Sequence, residues 1–487
     1  MAVHHSRLRL STLALALLSA PAFAQSPAPA QSNPAQTNPP TIEELARRLQ
    51  ALEQRLGGEA TTTDTNTVAD IDQRLRVLER KLELQAEEAA AKAAKDPVVA
   101  LSAAKGLSVK SPAAEGVEVK FKGLVQADGR VFIDDEQQPQ NDGFLLRRVE
   151  PTIEGSWGPL VGFRIQAQLA GDNATLNDAY ADIKFDPRAT ARVGKFKAPV
   201  GLEQLQSSSG LAGIERGLPT ELTPARDYGV QLQGEFNDST LSYAVGLFNG
   251  TPDGRDGPSS NPDNEFEIAG RVFWEPFKND ASALSGLGFG VAGSAGEKRG
   301  SGNSFLPRYR TPGQVTFFNY RSAVVADGDH VRWSPQAYYY RNAFGLQAEY
   351  ISSKQEVLLP ATNARDDLDH RAWQVTAGYV LTGEDAGYKG VVKPNHSFTF
   401  DGAGWGAFEL VARYGELTID RDAFPRFADA NTVAAAATTW GLGLNWYLNS
   451  NLKFVANYLQ TDFEGGAADY ADREDEKAFF TRAQFSF

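Results

Sequence analysis

From Gly116 to the final residue, apolar and polar side chains alternate with a period of two, as in strands that face two unlike environments. Val117, Val119, Phe121, Gly123, Val125 and Ala127 share one parity, while Glu118, Lys120, Lys122, Gln126, Asp128 and Arg130 share the other. Comparable segments recur at 144–157, 161–170, 176–185, 190–197, 227–236, 240–249, 265–275 and 286–295. They continue at 330–341, 343–353, 370–382, 406–419, 437–448, 451–463 and 477–487. The last of these sets Phe479, Thr481, Ala483, Phe485 and Phe487 against Phe480, Arg482, Gln484 and Ser486. Counting the opening strand, the pattern predicts about sixteen strands, an even number that suits a barrel whose two chain ends lie on the same side.

The connections alternate too. Tight turns at Gly158-Pro159, Asp186-Pro187, Asn237-Asp238, Arg341-Asn342 and Asn449-Ser450-Asn451 fall between longer polar loops at 250–264, 296–329, 354–369, 420–436 and 464–476. Short turns at one end and long loops at the other are the habit of an outer-membrane barrel, periplasm and exterior respectively. The connection 382–405 breaks the alternation, being long on the short-turn side. Trp157, Trp274 and Trp446 sit near strand ends on the apolar parity, where they would form an interfacial girdle.

Upstream the period changes. Thr41 and Glu44 form a capping box, and Ile42, Leu45, Leu49, Leu52 and Leu56 follow at heptad-like spacing until Gly57-Gly58. Val68, Ile71, Leu75, Leu78 and Leu82 repeat that spacing before an Ala, Glu and Lys-rich tail near Pro97. Seams this narrow suit self-association, so 41–96 reads as two short coiled-coil helices, with a single amphipathic helix on the barrel mouth as the alternative. Residues 25–40 are Pro, Ala, Gln and Asn with nothing to bury, a disordered spacer, and 97–116 is a linker. The first 24 residues carry Arg7 and Arg9, an apolar core from Leu10 to Ala20 and an Ala22-Phe23-Ala24 cleavage site, hence a secretory signal. The expected fold is therefore an all-β, sixteen-stranded antiparallel transmembrane barrel over 117–487 with a periplasmic coiled-coil segment before it.

Composition narrows the chemistry. The chain of 487 residues has no Cys and a single Met, which rules out disulfides, thiolate metal sites and a cysteine nucleophile. No run of about 18 apolar residues exists, so a helical membrane span is excluded. Removing Arg7 and Arg9 with the signal, which contains no acid, takes the net charge from −13 to −15. An acidic protein argues against nucleic acid as a partner, and any anion handling must come from local charge. His330, His370 and His396 are scattered without metal spacing, and Gly288, Gly290 and Gly293 spell a nucleotide-type fingerprint inside a strand where no helix opens. No cofactor, metal or catalytic set is expected.

Function must then reside in the lumen. Lumen parity supplies Lys120, Lys122, Arg130, Arg148, Arg164, Lys184, Arg192, Arg271, Arg413 and Arg482, nearly balanced by Glu118, Asp128, Glu150, Glu154, Asp182, Glu235, Glu267 and Glu409. Parity alone thus predicts a charge-paired interior. The connection from Ala198 to Arg226 is longer than a hairpin needs and less polar than its neighbours, so it is expected to fold inward against the lumen.

Several phrases resemble the phosphate-selective porins of the O and P type: FKGLVQADGRVF, FLLRRVEPTIEG, DAYADIKF, RVGKFKAPVGLE, RGLPTELTPARDYGVQL, RYRTPGQVTFFNYR and WYLNSNLKFVANYLQTDF. That resemblance implies a homotrimeric outer-membrane channel whose third external loop narrows the lumen, with a cationic throat passing inorganic phosphate or polyphosphate. It places Arg130, Arg148, Lys197, Arg216 and Arg226 at the throat with Asp182 as their acidic companion, and Arg308, Arg310 and Arg321 in an external funnel thinner than the family's arginine run. Expected surroundings are outer-membrane lipid and lipopolysaccharide, with peptidoglycan as a contact for the coiled coil. The rival readings are a general or other-anion porin, and a barrel that merely anchors a coiled-coil tether to the cell wall.

Overall fold

The computed structural model describes residues 47, 73, 75–85, 87, 97–102, 106–112, 116–389 and 393–487. The expected signal 1–24, the spacer 25–40 and, apart from Arg47, the first helical run lie outside the described residues. The chain divides into two units, Met1–Ala86 and Glu87–Phe487. In the first, residues 75–85 are helical, matching the second heptad run, and Leu75, Leu78 and Leu82 are exposed along it. The stripe has no described partner, so the coiled coil itself remains an expectation.

In the second unit eighteen strands hydrogen-bond into one sheet: a short hairpin contributes two and the barrel wall sixteen. The wall strands are β1 (Glu118–Ile133), β2 (Gly143–Trp157), β3 (Val161–Gln168), β4 (Thr175–Asp186), β5 (Ala189–Lys197) and β6 (Arg226–Phe236). Then come β7 (Leu241–Phe248), β8 (Glu267–Trp274), β9 (Leu287–Ser301), β10 (Val325–Arg341) and β11 (Phe344–Leu359). The remainder are β12 (Ala364–Val380), β13 (Ala407–Thr418), β14 (Ala434–Tyr447), β15 (Leu452–Gly465) and β16 (Glu476–Ser486). Each pairs antiparallel with its sequence neighbours, and β16 returns to β1 from Lys477↔Ile133 to Ser486↔Leu124, closing the cylinder. The seam ends on Phe487, which exchanges two backbone hydrogen bonds of 3.1 Å with Gly123. A Cβ at Gly123 would lie 2.6 Å from the Phe487 ring, so only glycine lets the terminal aromatic cover the joint.

Beyond that point β1 finds a different partner. Strands Val98–Ser102 and Gly106–Lys110 form a hairpin whose second strand pairs Leu107↔Phe121 through Lys110↔Glu118. The stretch expected as a linker thus continues the wall where β16 runs out. Its second strand satisfies backbone groups of β1 that would otherwise be left without partners, and the first strand pairs in turn with the second.

Alternation places the residues as the pattern requires. Val193, Val230, Leu232, Val245, Val291, Trp373, Leu442 and Leu444 are exposed on the outer surface, while Gln126, Asp128, Gln166, Gln336, Gln374 and Arg482 are buried within. This is a soluble protein turned inside out, which only a closed sheet in lipid makes favourable. Trp157 and Trp274 are exposed at the short-turn end, as expected for a girdle. A second belt, not foreseen, runs midway along β10 to β15 through the ring pairs Trp333–Tyr350, Trp373–Tyr414 and Trp440–Tyr458, with centroids 5.3, 5.6 and 5.3 Å apart.

Two loops are shorter than the sequence suggested. The expected loop 354–369 is a tight turn, because β11 and β12 pair as far as Leu359↔Ala364. Likewise 296–329 shrinks to 302–324, with β9 and β10 paired to Ser301↔Val325. Above the apolar band both faces of a strand meet water, so polar residues such as Lys354 and Asp367, ion-paired across the hairpin, obscure the period of two. Between the two aromatic belts Leu442 faces lipid; Leu442→Arg should cost about 2–4 kcal/mol in equilibrium unfolding from vesicles, whereas Leu442→Ala, which keeps that face apolar, should cost much less.

Candidate functional site

The connection 198–225 lies inside the cylinder. Its apolar residues explain why: Val200, Leu202, Leu211, Ile214, Leu218 and Leu222 are all buried, and burying each is worth roughly 1.5–3 kcal/mol. Polar contacts then fix its course along one wall. The Glu349 carboxylate on β11 accepts the N–H groups of Leu202 and Glu203 at 2.5 and 3.2 Å. Glu203 accepts from Gln374 Nε2 of β12 at 2.8 Å and is ion-paired with Arg413 of β13. Asn445 of β14 donates to the Ala212 carbonyl, Asn457 of β15 accepts from Ile214 N, and Gln484 of β16 donates to the Ser209 carbonyl, at 2.9, 2.8 and 3.0 Å. Strands β11 to β16 thus carry most of the loop's contacts, β1 and β2 add Gln126 to the Ser208 carbonyl and Arg147 to Glu215, and the wall beyond is left open.

From the other end, the connection 381–406 that broke the alternation of lengths sends Tyr388 up to meet it. The Tyr388 hydroxyl donates to the Leu202 carbonyl at 2.6 Å, Gln206 Nε2 donates to the Tyr388 carbonyl at 2.9 Å, and the ring stacks on Tyr338 at 4.8 Å. Externally, the 302–324 loop is tied down by Tyr309, whose hydroxyl donates to Asp253 at 3.0 Å, and by Arg310 N, which donates to Glu221 at 3.0 Å.

Two cavities follow the open wall in series. The outer one, about 510 Å³, is lined by Arg147, Arg148, Arg216, Arg226, Arg255, Arg308 and Arg310, against only Glu150 and Asp256. The inner one, about 590 Å³, is lined by Arg164, Arg192, Lys197, Arg226 and Arg271, against Glu150, Asp178 and Glu235. They share Glu150, Ser208 and Arg226, which mark the level where one passes into the other. In the outer cavity burial lowers the Arg255 pKa, and Arg308 and Arg310 lower it further, as expected where like charges crowd together.

Four expected throat residues come together here and two do not. Lys197 Nζ and Arg216 Nη2 donate to the same Gln206 carbonyl, at 2.7 and 2.8 Å. Arg216 Nε takes the Glu203 carbonyl at 3.2 Å, so backbone oxygens orient both cations without neutralising them. Arg226 is bound to Asp178 at 2.7 Å, and Arg148 donates to Gln126 at 2.7 Å. Lys197 and Arg226 are paired at the outer ends of β5 and β6, where the pleat gives way to the loop and both side chains enter the lumen despite their parity. Arg130 instead pairs with Asp128 at 3.0 Å and stacks on Phe480, lining neither cavity. Asp182 lies deeper, bound to Arg192 at 2.7 Å. Arg308 and Arg310 line the outer cavity, whereas Arg321 sits outside it, paired with Asp429 at 3.5 Å. The inward salt bridges that parity predicted are present as Arg164–Glu154 at 2.9 Å and Arg482–Asp128 at 2.6 Å, among others.

Arg147, Arg255 and Glu215 were not foreseen. Gln126 pairs with Arg148 but Ala127 with Leu146, so Arg147 is the extra residue of a β-bulge, and both arginines of the doublet turn inward. The doublet itself, two arginines inside one alternating strand, was the available signal. Chemically the open wall offers guanidinium forks and an ammonium group to oxyanions, with no nucleophile and base set to react with them.

The sequence profile described as phosphate-selective porin O and P matches residues 119–487. Porin O of Pseudomonas aeruginosa is 23% identical over 408 residues, covering 76% of this chain and 88% of that protein. Among solved structures, the anion-selective porin from Comamonas acidovorans is 12% identical, covering 76% of this chain and 100% of that one, with a TM-score of 0.47. The outer membrane channel DcaP of Acinetobacter baumannii is 11% identical over 76% of this chain and 98% of that one, with a TM-score of 0.48.

Removing the cation from the buried Glu203–Arg413 pair should cost about 3–5 kcal/mol because a carboxylate is left buried without its partner. Arg413→Leu should therefore free the loop from the β11–β16 wall, read as a larger and noisier single-channel conductance in planar bilayers; an unchanged conductance would mean that this pair does not hold it.

Proposed function

Since the chain belongs to the phosphate-selective porin O and P family and is an outer-membrane channel for small anions rather than an enzyme, we propose that its cargo is inorganic phosphate or polyphosphate, moving by facilitated diffusion. The observation that carries this reading is the pair Lys197 and Arg216, two cations oriented by one backbone carbonyl, the first lining the inner cavity and the second the outer. A small oxyanion shed of part of its water finds there a guanidinium fork and a point charge. Glu150 at the same level keeps that attraction finite, as conduction requires an ion to leave as readily as it enters. The inward loop 198–225 sets the pore width, and the arginine-lined outer cavity gathers anions above it. Two cationic cavities in series also suit a chain of linked phosphoryl groups.

The assembly is proposed to be a homotrimer. Strands β3, β7 and β8 have only 8 residues each. Tilted by about 45°, such strands rise about 19 Å, less than the roughly 25 Å apolar band of an outer-membrane barrel. A low wall is better covered by neighbouring protein than by lipid. The leucine stripe of the 75–85 helix, in the periplasm on this reading, offers a second site of self-association.

Replacing Lys197 and Arg216 together by Gln should lower the anion-over-cation permeability ratio at least several-fold, measured as reversal potentials in a potassium chloride gradient. Competition among phosphate, pyrophosphate and sulfate on wild-type single channels would rank the cargo. Reversal potentials that do not move with the double replacement would take the throat away from these residues.

A further inference from the structure

One buried carboxylate occupies guanidinium groups that also face the outer cavity. Glu215, near the tip of the inward loop, is only 2% exposed and faces four guanidinium groups from β1, β2 and β16. Arg147 grips it as a fork, Nε to Oε1 at 2.7 Å and Nη2 to Oε2 at 3.1 Å. Arg482 Nη2 lies 2.9 Å from Oε1, and Arg130 and Arg148 each approach to 3.5 Å. Burial alone would raise the pKa of this carboxyl, yet Arg147, Arg148 and Arg482 hold it well below the usual carboxylate range.

The cluster is more than a structural tie because of where its members point. Arg482 and Arg130 already have Asp128, at 2.6 and 3.0 Å. Arg147 has Glu215 as its one carboxylate partner among the described residues, while the nearest other carboxylate to Arg148 is Glu150 at 4.0 Å. These two arginines line the outer cavity, so one set of guanidinium groups is presented both to Glu215 and to whatever enters from outside. A carboxylate and a phosphate offer a guanidinium fork the same pair of oxygens.

We propose that Glu215 sets the channel's affinity: it is a resident oxyanion that shares Arg147 and Arg148 with the permeating anion and so keeps the outer cavity from binding that anion too tightly to pass it on. This rests on the anion-channel reading above and deepens it, since the function read from Lys197 and Arg216 does not require Glu215 to be anything but a latch. It gives an acidic loop residue a positive part in anion flow. Neutralising it is expected to tighten binding and slow release, the opposite of what removing a latch would do.

The test is single-channel recording of the full chain in chloride, titrated with inorganic phosphate. In Glu215→Gln the phosphate concentration giving half-maximal block should fall about tenfold or more, and the saturating phosphate conductance should fall with it, because an unopposed guanidinium pair holds the anion longer. Glu215→Asp, which keeps the charge, should stay near wild type. Adding Arg147→Gln to Glu215→Gln should return the half-blocking concentration toward the wild-type value. If Glu215→Gln alone does not assemble, comparing Arg147→Gln with Arg147→Gln/Glu215→Gln reads the smaller, same-signed effect carried by Arg148, and its absence would overturn the proposal. An unchanged half-blocking concentration, or a wider conductance with lost selectivity, would overturn the proposal and leave Glu215 a latch. A wild-type channel without preference for anions would instead sink the reading on which it rests.

Discussion

A polypeptide in a bilayer core finds no water for its amide groups, so every one of them must be paired within the protein, and a sheet can meet that demand only by closing on itself. Here the closing pair is β16 on β1, sealed by Phe487 against Gly123 and prolonged by the 98–110 hairpin. Once the sheet is closed the pleat does the sorting: one parity meets lipid and must be apolar, and the other is driven into a lumen that must be polar. An interior crowded with charge follows from this constraint before any function is considered. What function adds is the way those charges are shared out.

The sharing is uneven. On the β11 to β16 side, lumenal charges are spent on the inward loop: Glu349 on the N–H groups of Leu202 and Glu203, Arg413 on Glu203, and Arg482 on Glu215. That packing brings a long connection into the lumen and leaves the facing wall, from β2 to β8, as the open one. There the loop returns two cations, Lys197 beside it and Arg216 within it, whose hydrogen bonds go to backbone carbonyls instead of carboxylates. An acidic chain can therefore line its open passage with surplus positive charge, because its acids are largely at the surface or used in holding the loop. The same division explains why the Arg130 expected at the throat is absent from it: Asp128 and Phe480 claim its guanidinium.

Most of the architecture was legible in the sequence because a barrel wall obeys one simple rule. Alternation located every wall strand, and the unusual length and apolar content of 198–226 identified the inward loop. The rule fails where its physical basis fails. Above the lipid both faces of β9 to β12 are wet, so strand reads as loop; at the β-bulge of Arg147 the register shifts by one, and the immediate neighbour of lumen-facing Arg148 turns inward as well. At the ends of β5 and β6 parity no longer binds, which is why Lys197 and Arg226 reach the lumen from outward positions. Partners are harder still: no local pattern says that Glu215 would meet Arg147, since that contact joins the loop to a strand far away in the chain, whereas Arg130 is claimed by Asp128 two residues away on its own strand.

On the proposed function, anions travel along the β2–β8 wall, past Lys197 and Arg216, while the opposite wall is closed by the loop. Anomalous scattering from crystals of the protein soaked in bromide tests it most directly. Bromide peaks are expected in the outer cavity beside Arg255 and at the narrow level beside Lys197 and Arg216, with none between the loop and strands β11 to β16. Peaks confined to that far wall, or a lumen without bromide at the narrow level, would contradict it.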